Sequence, residues 1–221
     1  ANIPDRTTVW VFENRIGEAG AQALFDGMAA QLLARGFIAR GGQIIDATLI
    51  PAPKQHLTKG EKEVIGEDAT PADWSPAQRR QKDTEATWTK KHGKSYFGFK
   101  LSVNVDKKYK LIRKIETGTA STHDSQAFAE LVTAEDQVVY ADSAYAGEPI
   151  EAELESRMLR GEINEKGTRG HPLTEAQKES NRLKSKTRAR VEHVFAQMTG
   201  SMKALYQRCI GFERNKSGLI L

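Results

Sequence analysis

From residue 95 to residue 105 every second position is apolar. Phe97, Phe99, Leu101, Val103 and Val105 alternate with Tyr96, Gly98, Lys100, Ser102 and Asn104. Side chains along a strand point to opposite faces in turn, so this pattern predicts a half-buried β-strand. Asp106, Lys107 and Lys108 then supply a turn, and residues 109–117 predict a second strand, making an antiparallel hairpin. A sheet of this kind must cover its apolar face. The helical periodicities elsewhere in the chain are the material for doing so.

Two shorter apolar runs complete the sheet. Residues 41–50, GGQIIDATLI, carry Ile44, Ile45, Leu49 and Ile50 around a central Asp46. An ionised carboxylate among apolar neighbours is costly unless compensated, by a hydrogen bond to a turn or by a metal ion. Residues 137–147, QVVYADSAYAG, form a buried-strand pattern that ends at Asp142 and passes into a turn of small residues. Asp is a favoured turn former, which is the ordinary reading of Asp142. The carboxyl end of a strand in an α/β sheet is also where ligands bind.

The helical patterns lie around these strands. Residues 17–36 space Leu24, Phe25, Met28, Leu32 and Leu33 helically. A short helix is expected over residues 124–134, with Asp124 or Ser125 as N-cap, and His123 before it reads as a structural hydrogen-bonding residue. Pro149 opens a helix presenting Ile150, Leu154 and Met158, and Ile163 centres a short further strand. The capping box Thr174-Glu175-Ala176-Gln177 starts one long last helix with Leu183, Val191, Val194, Phe195, Met198 and Met202 on its apolar stripe. Glu192 lies beside that stripe and Arg188 one turn before it. Residues 51–94 are irregular, with short helices expected at 59–66 and 76–81. Trp74 and Trp88 either contact nucleic acid or pin this insert to the core, the second being the preferred reading.

Composition narrows the class. With 221 residues, 38% hydrophobic and 28% charged, the chain can build a globular core and is not a disordered one. No apolar run approaches the roughly 20 residues of a membrane span, so no membrane partner is expected. A lone cysteine, Cys209, excludes an intrachain disulfide and fits a cytoplasmic setting. The net charge is only +4, but its distribution is uneven. Lys90, Lys91, Lys94 and Lys100 fall in one basic stretch. Lys184, Lys186, Arg188 and Arg190 fall in another, a run from residue 182 to 190 without an acid. Such clusters either form solvated faces or bind a polyanion.

Two strand carboxylates and a late helical one can converge at one sheet rim. Asp46, Asp142 and Glu192 would then repel one another unless a cation joined them. Hard oxygen ligands suit Mg²⁺ or Mn²⁺. Two such ions roughly 3.5–4 Å apart can activate one oxygen and stabilise another at phosphorus.

The stretches IIDATLI, WTKKHGKSYFGFKLSVNVD, TASTHDSQ, VVYADSAYAG, GHPLTEAQKESNRLKSKTRARVEHVFAQM and IGFERNKSG, with PDRTTVWVFENRIG near the start, follow one another in an order that resembles the DDE transposases of bacterial insertion elements, specifically insertion-sequence family five. The resemblance implies an α/β, RNase H-like mixed sheet flanked by helices, with an irregular insert after the first strand. It divides the chain into a partial helical N-terminal region (1–40) and a catalytic domain (41–221, insert about 51–94), lacking an upstream segment and stopping short at its C-terminus. It implies Asp46, Asp142 and Glu192 as catalytic metal ligands for two Mg²⁺ or Mn²⁺ ions. The implied partners are double-stranded DNA, as element ends and as target, and a second copy of the chain in a homodimer on DNA. The implied reaction is cleavage at element ends followed by strand transfer. An inactive DNA-binding remnant and an RNase H-like nuclease without strand transfer are the alternatives. Two positions depart from the pattern. Thr199 stands where relatives often carry a basic residue, and Ser185 where some carry Tyr, so DNA positioning by those two residues is not implied here.

Overall fold

The architecture was read from a computed structural model that describes residues 3–38, 41–91, 93–135, 137–206 and 209–221. The strand expected from alternation is β3 (Lys94–Asp106), the longest in the sheet. Its antiparallel partners are β1 (Gln43–Pro51) along one edge and, end to end along the other, β2 (Thr87–Lys91) and β4 (Ile112–Thr119). On the far side of β1 lies β5 (Val138–Ala141), parallel to it, and then β6 (Arg160–Ile163), parallel to β5. The six strands form one mixed α/β sheet in the order β2-β3-β1-β5-β6, with β4 on β3, consistent with the expected RNase H-like arrangement. The irregular insert is more ordered than its composition suggests. It forms α2 (Lys59–Gly66) and α3 (Pro76–Gln81), both started by capping boxes, and its last part is the edge strand β2.

Alternation divides the core into two layers. Ile44, Phe97, Phe99, Leu101, Val103 and Val105 face one side. There they meet α1 (Arg6–Ala34) through Ala21 and Phe25, α7 (Arg190–Thr199) through Val191, Val194 and Met198, and α8 (Phe212–Ile220) through Leu219 and Ile220. Ile45, Val139 and Ala141 face the other side, under α4 (Phe128–Leu131) and α5 (Glu148–Ser156). Each fully buried aliphatic side chain of this kind contributes about 1.5–3 kcal/mol. The polar face of β3 is not solvated as alternation alone suggests. Ser102 and Asn104 are buried, and Asn104 donates to Gln43 Oε1 (2.5 Å) and to the Leu131 carbonyl (2.7 Å). A second layer of helices covers that face, and internal hydrogen bonds replace water.

Other expectations shift in detail. The first helix begins at Arg6, well before residue 17, and is interrupted at Gly17, where φ is +58°. The helix expected over 124–134 is a 3₁₀ turn (Asp124–Ala127) followed by α4, and its N-cap is His123, whose ring accepts the Ser125 N–H. Met158 is exposed beyond the end of α5. The single last helix is two, α6 (Glu175–Arg188) and α7, separated at Ala189. Val191, Val194 and Met198 on α7 are buried, while Leu183 on α6 and Met202, beyond the end of α7, are exposed. Trp74 is buried with its indole N–H on Glu61 Oε1 (2.5 Å), whereas Trp88 is half exposed on β2 with its ring 5.2 Å from that of Phe97.

A carboxylate site at the sheet rim

The register of β1 against β5 pairs Gln43 with Val139 and Ile44 with Tyr140. Two residues farther along the same register come Asp46 and Asp142. Both continue the side of the sheet that carries Ile44 and Tyr140, the side on which α7 packs. Asp142 follows the last residue of β5 and N-caps the 3₁₀ turn Ser143–Tyr145, its Oδ1 accepting the Ala144 N–H at 2.8 Å. Its turn-forming role and its rim position are therefore both real. Asp46 stands inside β1, where Oδ1 accepts the Ala47 N–H (2.8 Å) and Oδ2 accepts from Arg188 Nη1 (2.5 Å).

Arg188 is the last residue of α6 and Glu192 lies in the first turn of α7. Negative charge is favoured at a helix N-terminus. Arg188 Nη2 is 3.8 Å from Glu192 Oε1, so one guanidinium connects Asp46 to Glu192. Asp46 is 13% exposed and Glu192 67%. Burial pushes the Asp46 carboxyl above the usual carboxylate range, and the neighbouring Asp142 charge adds to this. The Arg188 cation and the Ala47 N–H pull the other way without cancelling it.

The structure thus brings Asp46 and Asp142 together and ties Glu192 to Asp46 through a cation. Among the described residues no three His, Cys, Asp or Glu side chains are already gathered around a shared cation position. The donor chemistry nevertheless fits a hard divalent ion. Two rim carboxylates lie in adjacent register, and a positive guanidinium stands between Asp46 and the third carboxylate.

The structure separates the basic residues into two kinds. Lys90, Lys91, Lys94 and Lys186 are exposed and, among the described residues, make no ion pair or side-chain hydrogen bond. Lys100 is largely buried, donating to the Thr122 carbonyl and to Asp124 Oδ1 at 2.6 Å. Lys184 donates to the Ile163 carbonyl (3.0 Å) and Arg190 to the Lys108 carbonyl (3.3 Å). A cleft of about 220 Å³ opens between residues 47–49 of β1, Lys90 and Lys91 of β2, and the Lys100–Asp124 pair. Of the two departures, Ser185 accepts from Asn164 Nδ2 (2.9 Å) and so joins α6 to the end of β6. Thr199 turns its hydroxyl onto the Phe195 carbonyl (2.7 Å).

A family model described as the transposase DDE domain matches residues 39–221. The chain belongs to this family. No solved structure matches it significantly. The matched span of this DDE transposase domain includes all six strands and all three acidic residues. Among the described residues of the domain no helix is long and apolar enough to cross a membrane. Two groups beside the site escaped the sequence reading, Asp124 and Tyr145. Asp124 reads from the sequence only as a candidate helix N-cap, and Tyr145 as part of a small-residue turn. In the structure Tyr145 is fully buried and, among the described residues, its hydroxyl has no hydrogen-bond partner.

Proposed function

We propose that this DDE transposase domain is the catalytic part of an insertion-element transposase of family five. It would cleave DNA at element ends and transfer the freed strand to target DNA. The observation that carries this reading is the register of β1 and β5, with Asp46 and Asp142 side by side on the face where α7 carries Glu192. Asp46, Asp142 and, once Arg188 withdraws, Glu192 would hold Mg²⁺ or Mn²⁺. When bound, the ions supply Lewis-acid stabilisation of phosphoryl oxygens. The chain's own residues do the rest. Asp142 is fixed by the turn it caps, Asp46 by its strand, and Glu192 by the buried side of α7. Lys90, Lys91, Lys94 and Lys186 offer unpaired cations to the phosphate backbone of double-stranded DNA, and the cleft beside residues 47–49 leads that backbone toward Asp46. Lys100, Lys184, Arg188 and Arg190 shape the same surface from within their existing bonds. A second copy of the chain on the paired element end is the natural partner for a reaction that joins two ends.

The test is a labelled duplex carrying an element end, incubated with the chain, Mg²⁺ or Mn²⁺ and a supercoiled plasmid. Metal-dependent nicking at the end, label joined to plasmid, and loss of both in Asp46→Asn and Asp142→Asn are expected. Nicking without joined product would leave a nuclease. Binding without nicking at any metal concentration would leave a DNA-binding remnant.

A further inference from the structure

Gly17, at φ +58° and ψ −164°, divides α1 into two parts with different surroundings. The second part is anchored in the core through Ala21 and Phe25. The first, residues 6–16, contains no buried side chain. Ile16, at its end, packs against the core. Val9, Trp10, Val11 and Phe12 follow one another at 41, 60, 41 and 48% exposure.

Such a stretch does not hold a helix by itself. Thr7, Thr8, Val9, Trp10, Val11 and Phe12 are all weaker helix formers than Ala or Leu. The segment is also shorter than the about 12–15 residues below which isolated helices are marginal. Helices of this kind are held by burying one face. Trp10, Glu13 and Asn14 line an open groove of about 590 Å³ against Glu213, Arg214 and Ser217 of α8. The opposite face carries Asp5, Thr8, Phe12 and Arg15, flanked by Val9 and Val11, and all of these are exposed.

The spacing of Asp5, Thr8, Phe12 and Arg15 is three, four, three, that of a seam between paired helices. The seam is acidic where it starts and basic where it ends. Asp5 accepts the Thr8 N–H at 2.7 Å, and neither Asp5 nor Arg15 has an ion pair among the described residues. Run antiparallel against a second copy of itself, the seam sets Asp5 opposite the partner's Arg15 at both ends and Phe12 opposite the partner's Thr8 between them. A parallel copy would set like charges together. A two-fold contact requires one surface that is complementary to itself, and this strip is.

We propose that residues 5–16 are a self-association surface, docking antiparallel on the same residues of a second copy of the chain through Phe12 and two Asp5–Arg15 pairs. Such a contact would also serve the second copy invoked above, yet it depends on neither the metal nor the DNA reading.

The test is sedimentation equilibrium of the full chain without DNA or metal, at concentrations up to about 100 μM, to reach the weak affinities of small interfaces. The parent should pass from 24.5 kDa toward twice that mass. Phe12→Ser and Arg15→Glu should each weaken the dimer about tenfold or more. Asp5→Asn gives the decisive sign, because Asn caps a helix as well as Asp does. In the parent it removes an attraction and should weaken the dimer severalfold. In Arg15→Glu it removes a repulsion and should strengthen the dimer. A parent that stays monomeric overturns the proposal. So does a dimer indifferent to Phe12→Ser, or an Asp5→Asn effect of the same sign in both backgrounds. Nicking of the labelled duplex is scored separately, so a failed dimer leaves the catalytic reading standing and failed nicking leaves the dimer standing.

Discussion

Arg188 Nη1 lies 2.5 Å from Asp46 Oδ2, so the end of α6 supplies the counter-charge to a carboxylate buried in β1. The same guanidinium is 3.8 Å from Glu192, and its buried Nε has no hydrogen-bond partner among the described residues. It is therefore bound on one side and incompletely satisfied on the other, which suits a cation that can yield its place. Arg188→Met should lower stability by about 1–3 kcal/mol, since it leaves Asp46 with no opposing charge. Mn²⁺ should then raise the melting temperature of Arg188→Met more than that of the parent, because no side chain competes for Asp46. Equal Mn²⁺ shifts in the two proteins would mean that the guanidinium and the ion do not share a place.

Asp46 also gives the protein a pH signature. Its folded-state carboxyl titrates above the ordinary value, burial being the main cause. Between the unfolded value, about 3.9, and the raised folded one, the native state binds more protons than the unfolded state. This group's contribution therefore makes stability fall as pH rises through that window. Asp46→Asn abolishes the titration and keeps an oxygen for Arg188. Urea midpoints should show Asn above the parent at neutral pH, with the gap closing toward about pH 4. A gap that widens on acidification would contradict the upward shift.

How much of this was legible in the sequence depended on the range of the interaction. The alternation of Phe97 to Val105 depends on neighbours two residues apart, and β3 emerged with that face inward. The boundaries of α2 and α3 and the capping box at Thr174 are local as well, and they appear where capping chemistry places them. Asp46 and Asp142 could be picked out because each interrupts or ends an apolar run. What the sequence could not carry is contact across the fold. Nothing around Lys100 announces Asp124 across 24 positions, and nothing around Lys184 announces the carbonyl of Ile163. Both lysines looked like free DNA contacts. The break at Ala189 was hidden because Leu183, Val191 and Val194 keep helical spacing through it.

Gly98 lets β3 approach the end of β1 closely, opposite Pro51. Its φ is +151°, and an added Cβ would lie 2.1 Å from the Ile50 carbonyl oxygen and 2.7 Å from the Ala52 nitrogen. Those are backbone atoms of β1 and its exit, four and six residues beyond Asp46, so no side chain can move aside. Gly98→Ala should cost about 3 kcal/mol or more in urea unfolding. A loss below about 0.5 kcal/mol, the range of ordinary surface substitutions, would show that the strands are not held that close.

The two kinds of lysine should differ in salt dependence. Each phosphate neutralised adds about 0.9 to the slope of log affinity against log salt. Replacing Lys90, Lys91 and Lys94 together by Ala should flatten that slope by about 2–3 on duplex DNA. Replacing Lys100 and Lys184 by Met should leave it nearly unchanged, because their ammonium groups are already committed to Asp124 and to Ile163. The reverse ranking would mean that those internal bonds open on DNA.

Glu192 separates stability from chemistry most sharply. At 67% exposure and 3.8 Å from Arg188, its ion pair should contribute only about 0–1 kcal/mol. Glu192→Gln should therefore unfold near the parent's urea midpoint, and its affinity for duplex DNA should persist because the exposed lysines are untouched. If Glu192 is the third ligand, the amide keeps the shape and one oxygen but loses the charge that offsets a cation. Metal-dependent nicking should then fall by orders of magnitude, each 1.36 kcal/mol of lost transition-state stabilisation being about tenfold in rate. Val191 and Val194, buried on either side, hold the helix in place in both proteins, so the comparison is not confounded by a moved backbone. A Glu192→Gln protein that nicks at the parent's rate with Mg²⁺ would leave Asp46 and Asp142 as the working carboxylates and make Glu192 a surface partner of Arg188.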